Sequence, residues 1–165
     1  MGFNRYRPHV LILPEDSANS QIATGFLLSL ETFALAKLRI LPVGRGWQKC
    51  LDQFATTELP GMNLYPHRHL IILIDFDGEK ARRDFVMSCV PADLKNRVFV
   101  LGSLTNPEEL KRAQLGNYEE IGSRLAQDCR ARTNLVWSHE LLEHNASELD
   151  RLRETIWPIL EEPAN

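Results

Sequence analysis

The stretch His69-Leu70-Ile71-Ile72-Leu73-Ile74-Asp75-Phe76-Asp77-Gly78 sets the architecture: an unbroken apolar run, Leu70 to Ile74, ends in an acidic turn. A run of that kind is a strand buried on both faces, which belongs in the middle of a parallel sheet. Open α/β sheets place their ligands at the carboxyl ends of such strands. Asp75 and Asp77 put two carboxylates at that rim, where a hard cation such as Mg²⁺ could bind. The same Asp and Gly residues also make ordinary turns.

The strand–helix alternation extends on both sides. His9 to Leu13 is a first strand, broken by Pro14 and followed by Glu15-Asp16-Ser17. Ile22, Phe26, Leu27, Leu30 and Phe33 then recur at helical spacing, with Asp16 or Ser17 as the N-cap. Leu38 to Val43 is a second strand, ending at Gly44-Arg45-Gly46, and Trp47 to Phe54 a short helix. Pro60-Gly61 and Pro66 mark a loop before the acidic strand. Glu79 to Cys89 is a charged helix, and Arg97 to Leu101 a fourth strand ending at Gly102-Ser103. After that only helices are expected: one capped by Asn106 with Pro107 in its first turn, then Tyr118 to Cys129 and Ser138 to Leu160. The pattern predicts a single α/β domain over 1–165, Rossmann-like, with a parallel sheet of about four strands flanked by helices. Residues 9–103 form its core and 106–160 a helical C-terminal layer packed on it.

Composition narrows the class. The chain has 165 residues, 44% hydrophobic and 25% charged, with a formal net charge of -3. That suits a globular domain and excludes a protein that coats nucleic acid through bulk charge, though not a local basic patch. Cys50, Cys89 and Cys129 are odd in number and contain no CxxC pair, so neither a disulfide framework nor a zinc ribbon is indicated. No run reaches transmembrane length, and the short apolar stretch near the N-terminus runs into acidic residues. A soluble, cytoplasmic protein with no membrane partner is expected.

In a parallel sheet Glu15, Gly44, Asp75 and Ser103 come out on one rim. Neighbouring strands lie about 4.8 Å apart, so adjacency of the first and third strands would bring Glu15 to the Asp75/Asp77 pair. Carboxylates gathered there repel one another unless a cation sits between them. Arg45 and Lys49, on the loop Gly44-Arg45-Gly46-Trp47-Gln48-Lys49, are the natural contacts for a phosphate substrate, and Trp47 could stack a base. A glycine turn with a core tryptophan is the plainer reading of that loop, which is neither GxGxxG nor a P-loop.

A strand ending in Glu, then a helix, then a later strand ending in Asp-x-Asp resembles the TOPRIM domain. The matching residues are Glu15 in VLILPED and Asp75 and Asp77 in LIILIDFDG, over about residues 9–103. The chain resembles a small standalone member, nearest in spirit to the overcoming-lysogenisation-defect nuclease type. The resemblance implies Mg²⁺ (or Mn²⁺) held by Asp75 and Asp77 and completed by Glu15, with Glu15 also a candidate general acid/base. It implies phosphodiester chemistry on DNA or RNA, as a nuclease or nuclease-like module. TOPRIM domains commonly place Gly after the Glu, whereas this chain has Asp16, a fourth candidate ligand or a helix cap. The alternative is a non-catalytic module, a degenerate TOPRIM or a receiver-like domain that signals or binds a protein partner. In the receiver version Glu15-Asp16, Asp75 and the Ser103 hydroxyl share the roles. The interval to Asp75 is long for a receiver, and no Lys ends a fifth strand.

Three further motifs have plainer readings. His67-Arg68-His69 lies at the opposite rim and reads as surface decoration. Lys80, Arg82 and Arg83 read as a backbone-contacting patch or a solvated helix face. His139-Glu140-Leu141-Leu142-Glu143-His144 is not HExxH: its histidines are five apart, which rotates them by roughly 140°. That segment reads as an amphipathic helix with Leu141, Leu142 and Leu149 inward. Glu140 or Glu120 is a candidate outer carboxylate.

Overall fold

Four apolar segments pair into one parallel sheet in the computed structural model, which describes residues 2–163. The strands are β1 (His9–Pro14), β2 (Leu38–Ile40), β3 (Arg68–Leu73) and β4 (Val98–Leu101), in the order β2-β1-β3-β4. β1 and β3 are therefore neighbours, in register from His9 opposite Arg68 to Pro14 opposite Leu73. This is the Rossmann-like α/β arrangement predicted from the strand–helix alternation.

Successive side chains of a strand point to opposite faces, and here each face has its own core. Val10, Ile12, Ile71, Phe99 and Leu101 pack against α1 (Ser17–Leu28), α6 (Tyr118–Ala131), α7 (Ala146–Thr155) and α8 (Trp157–Glu161). Leu11, Leu13, Leu70, Ile72, Val98 and Val100 pack on the other face, with α2 (Trp47–Gln53), α3 (Leu59–Leu64) and α4 (Arg82–Ser88). The short α5 (Pro107–Arg112) follows β4, capped by Asn106 as the sequence indicates. On the first face α1 and α6 lie backbone to backbone: a Cβ placed on Gly122 would sit 1.9 Å from the Ile22 carbonyl oxygen.

The free edge of β4 is closed by side chains of the C-terminal segment rather than by a fifth strand. Asn145 accepts from the Gly102 amide at 3.2 Å and donates to its carbonyl at 2.9 Å. Glu148, with no exposed surface, accepts from the Val100 amide at 2.8 Å and from Arg83 at 2.9 Å, and pairs with Arg151. Two polar side chains thus take over the bonds that another strand would make.

Several boundaries differ from the sequence reading. β2 stops at Ile40 instead of running to Val43. Pro60-Gly61 is not a loop but the first turn of α3, where proline's missing N–H costs nothing, and the chain reaches it through a π-turn, Phe54–Glu58. The charged helix starts at Arg82 rather than Glu79, because the acidic turn occupies the residues before it. Ser138 to Leu142 is a run of turns, not helix, and regular α-helix begins only at Ala146. Within that run the Leu141 amide donates to His139 Nδ1 at 3.2 Å. Just before it, the Asp128 carboxylate accepts from Thr133 Oγ1 and from the amides of Leu135, Val136 and Trp137, folding 133–137 tightly. Burial alone would raise the Asp128 carboxyl; those bonds outweigh it and hold it below its ordinary value. No helix among the described residues is long and apolar enough to cross a membrane.

Candidate functional site: an acidic rim on adjacent strands

The end of β1 is wrapped by the glycine turn that follows β2. Gly44 N–H donates to the Pro14 carbonyl at 2.9 Å, and the Arg45 and Gly46 amides donate to the Glu15 carbonyl at 2.7 and 3.3 Å. Glu15 itself continues beside β3, its amide donating to the Leu73 carbonyl at 2.9 Å. This backbone lattice turns the Glu15 side chain toward β3, and Glu15 Oε2 accepts from the Asp75 amide at 2.6 Å. Buried next to it is Cys50, whose thiol is pushed up to about 12, first by burial and then by the charge of Glu15.

On the β3 side the acidic turn runs along the end of β4. Phe76 N–H donates to the Ser103 carbonyl at 3.0 Å, Asp77 N–H to that of Thr105 at 3.3 Å, and Gly78 N–H to that of Leu104 at 2.6 Å. Phe76 is buried in the core, so Asp75 and Asp77 are fixed on either side of an anchored ring. Asp75 is 7% exposed. Its Oδ1 accepts from Asn19 Nδ2 at 2.9 Å, and the same amide group donates to Asp16 Oδ1 at 3.1 Å. Asp16 also caps α1 by accepting from the Asn19 amide at 2.9 Å.

Four carboxylates therefore share this rim, and their mutual influence is visible in Asp75. Burial pushes its carboxyl up to about 7; the Asn19 bond opposes that, and the charges of Glu15, Asp16 and Asp77 add to it. Glu15 is raised as well, first by burial, against the Asp75 amide bond and with help from Asp16 and Asp77. The cation that meets them is Arg82. Its Nη1 donates to Asp77 Oδ2 at 2.5 Å and to the Asp75 carbonyl at 2.8 Å. The guanidinium lies 4.5 Å from the centre of the Trp47 ring, which meets the exposed Phe85 edge-on at 5.9 Å. Tyr118, at the start of α6, lies close enough for the charges of Asp16 and Asp75 to help burial and Glu108 raise its phenol.

The structure thus brings together Glu15, Asp16, Asp75 and Asp77; Arg45 is exposed on the loop that wraps Glu15, and Lys49 is exposed in the first turn of α2 rather than on that loop. In this conformation no group of three or more His, Cys, Asp or Glu side chains among the described residues is arranged to hold a metal ion. Ser103, the hydroxyl of the receiver reading, is 3% exposed and lines an internal cavity together with Asn19. Glu140 is exposed in the turn segment, and Glu120 is occupied by its capping box with Asn117.

Sequence reasoning missed Asn19 and Tyr118, and read Arg82 as part of a backbone-contacting patch or solvated face rather than as the partner of Asp77. Asn19 stands three residues after the N-cap Asp16, and Arg82 five after Asp77, spacings that in hindsight carry a signal. Arg82 is ion-paired within the rim and Arg83 with Glu148, so neither belongs to an open patch. Nor is His67-Arg68-His69 mere decoration, since Arg68 Nε donates to His9 Nε2 at 3.1 Å. Comparison of the chain with family models, with curated proteins and with solved structures finds no match.

Proposed function

We propose that the acidic rim binds Mg²⁺ or Mn²⁺ and carries out phosphodiester chemistry on nucleic acid, as a nuclease or nuclease-like module, in line with the TOPRIM resemblance. The observation that carries this reading is the juxtaposition of Glu15 and Asp75 on neighbouring strands, with Asp77 two residues on. Three carboxylates are the donor chemistry of a hard divalent cation, and one of them, Asp75, is pushed up to about 7 by burial and by its acidic neighbours. The Asp77 side chain is 57% exposed, and its use as a ligand requires its release from Arg82. When bound, the cation polarises a phosphate oxygen and activates water.

The chain's own residues do the rest. Asp75, Asp77 and Glu15 hold the cation. The Asp75 amide fixes one oxygen of Glu15, which orients that carboxyl for proton exchange with the attacking or leaving oxygen. Arg45 and Lys49 meet the phosphate backbone through charge-assisted hydrogen bonds.

A second reading is favoured by a different observation. Asp77 is already neutralised by Arg82 and Glu15 already bonded to the Asp75 amide, which is how a non-catalytic module, degenerate TOPRIM or receiver-like, would settle its acids for signalling or binding a protein partner. Calorimetric titration with Mg²⁺ and Mn²⁺, wild type beside Asp75→Asn/Asp77→Asn, separates the two when followed by plasmid nicking and single-stranded RNA cleavage. Metal binding lost in the double variant, with metal-dependent cleavage by wild type, supports the nuclease. Metal binding without cleavage favours the second reading, and no metal binding overturns the first.

A further inference from the structure

The opposite end of the sheet carries the opposite charge. Residues 2–9 fold over the amino-terminal ends of the strands and bring Arg5 and Arg7 there without a carboxylate among them. The Arg5 guanidinium lies 5.6 Å from the centre of the Tyr65 ring and donates to its hydroxyl at 3.3 Å. Arg68 lies 4.6 Å from the same ring. Arg39, exposed on β2, lies 4.3 Å from the centre of Phe3, which meets His9 edge-on at 5.0 Å. Tyr6, 76% exposed, stands edge-on to Tyr65 at 5.6 Å. The carboxylates nearby are Glu58, buried close to Arg68, and Glu162, beside Lys37 and Arg7. None of Arg5, Arg7, Arg39 and Arg68 forms an ion pair among the described residues.

In a chain with more acids than bases, 22 against 19, this end is a segregated basic surface interleaved with aromatic rings. A guanidinium laid on a ring is held in place while its edge N–H groups still face outward, so little freedom is lost when it meets a phosphate. An exposed phenol ring between such groups offers a base a face to stack on. An acidic peptide would use the charges and leave Tyr6 idle. A duplex would bury the base faces that Tyr6 needs.

We propose that the amino-terminal rim is a binding surface for single-stranded nucleic acid, with Arg5, Arg7 and Arg39 on phosphates and Tyr6 stacked on a base. It is a separate anchoring surface, a sheet's length from the acidic rim, and it requires no metal.

The test is fluorescence anisotropy of a labelled oligo-dT and a labelled oligo-U with the full chain in EDTA, across a salt series. Binding at low salt should weaken with a log–log slope of about -2, the value for roughly three neutralised phosphates on a single strand. Arg5→Glu/Arg39→Glu should weaken it by about tenfold or more and flatten the salt slope. Tyr6→Ala should weaken it by about fivefold or more with the slope unchanged, because stacking is not ionic. Binding in EDTA needs no metal, so loss of the metal reading leaves this one standing. All these side chains are exposed, and thermal melts verify the fold of each variant. Absence of binding at low salt, or equal binding by the Arg5→Glu/Arg39→Glu variant, overturns the proposal. So does equally tight binding of a labelled oligo-glutamate peptide that ignores Tyr6→Ala, which would make the surface one for acidic protein segments.

Discussion

His9 shows how one buried side chain couples stability to pH. It has no exposed surface, presents Nε2 to the Arg68 Nε–H at 3.1 Å, and lies with Nδ1 2.7 Å from the Arg7 carbonyl. Accepting at Nε2 and donating from Nδ1–H defines a neutral ring. Burial is the main force lowering its pKa; the Arg7 carbonyl opposes this and the charges of Arg68, Arg5 and Arg39 assist it. With the folded pKa below the ordinary 6.5, the unfolded chain binds more protons between the two values. The stabilisation is therefore complete above about pH 6.5 and is lost as pH falls through that value toward the folded pKa. Urea unfolding at about pH 8 and about pH 5 isolates this contribution as the difference between wild type and His9→Gln: on going to acid, wild type should lose more stability, or gain less, than the variant. Burial also lowers His69 and His144, which act in the same direction, whereas Asp75, raised to about 7, gains stability as pH falls, so the wild-type-minus-variant difference is what reports His9. Glu148 makes the second prediction at this scale. Glu148→Ala removes the acceptor of the buried Val100 amide and the ion-pair partner of the partly exposed Arg83 and Arg151, and should cost about 1–3 kcal/mol in denaturant unfolding. Glu148→Gln, which keeps an acceptor for Val100, should cost less.

Among the elements, the contact between α1 and α6 is the tightest and the most exposed to substitution. Gly25 and Gly122 let the two backbones touch: a Cβ on either would lie 1.9 Å from a carbonyl oxygen of the facing helix. Gly122→Ala should destabilise by about 1–3 kcal/mol despite alanine's better helix propensity, measured by thermal or urea unfolding. Gain of stability there would mean the helices separate at little cost. Much at this scale was legible in sequence, because it is local. Leu70 to Ile74 is too apolar to be anything but a buried strand, and Asn106-Pro107 and Asp16 announce their helices within four residues. What escaped depends on distant partners. Ser138 to Leu142 has helical composition, yet the chain enters it from a turn, 135–137, whose amides are held by Asp128, a bond set that no local pattern reveals. Arg83 looks like any surface arginine until Glu148, 65 residues later, is folded against it. The site divides the same way: Glu15, Asp75 and Asp77 are visible as strand ends, whereas Arg82 bridging Asp77 and the Asp75 carbonyl is a fact of three dimensions.

For the molecule as a whole, the sheet separates two cores, and the larger is not fully packed. A cavity of about 60 Å³ lies between the sheet and α1, α6 and α7, lined by Ile12, Ala23, Ile71, Leu101, Trp137 and Leu152 among others. Ala23→Val should fill part of it and raise stability by about 1 kcal/mol in urea unfolding; a loss would show that the neighbours cannot make room. The closure of β4 by Asn145 and Glu148 matters at this scale too. Those residues sit before and within the first turn of α7, so the helix that completes one core also guards the sheet's edge. If α7 detaches, even briefly, Val98–Leu101 offers an apolar strand with unsatisfied amides to any similar strand nearby. Asn145→Ala, which leaves the Gly102 amide and carbonyl open, should therefore lower the temperature at which light scattering appears more than it lowers the unfolding midpoint at high dilution. In that sense the last helical segment is a solubility device, and mutations there would be felt first as self-association.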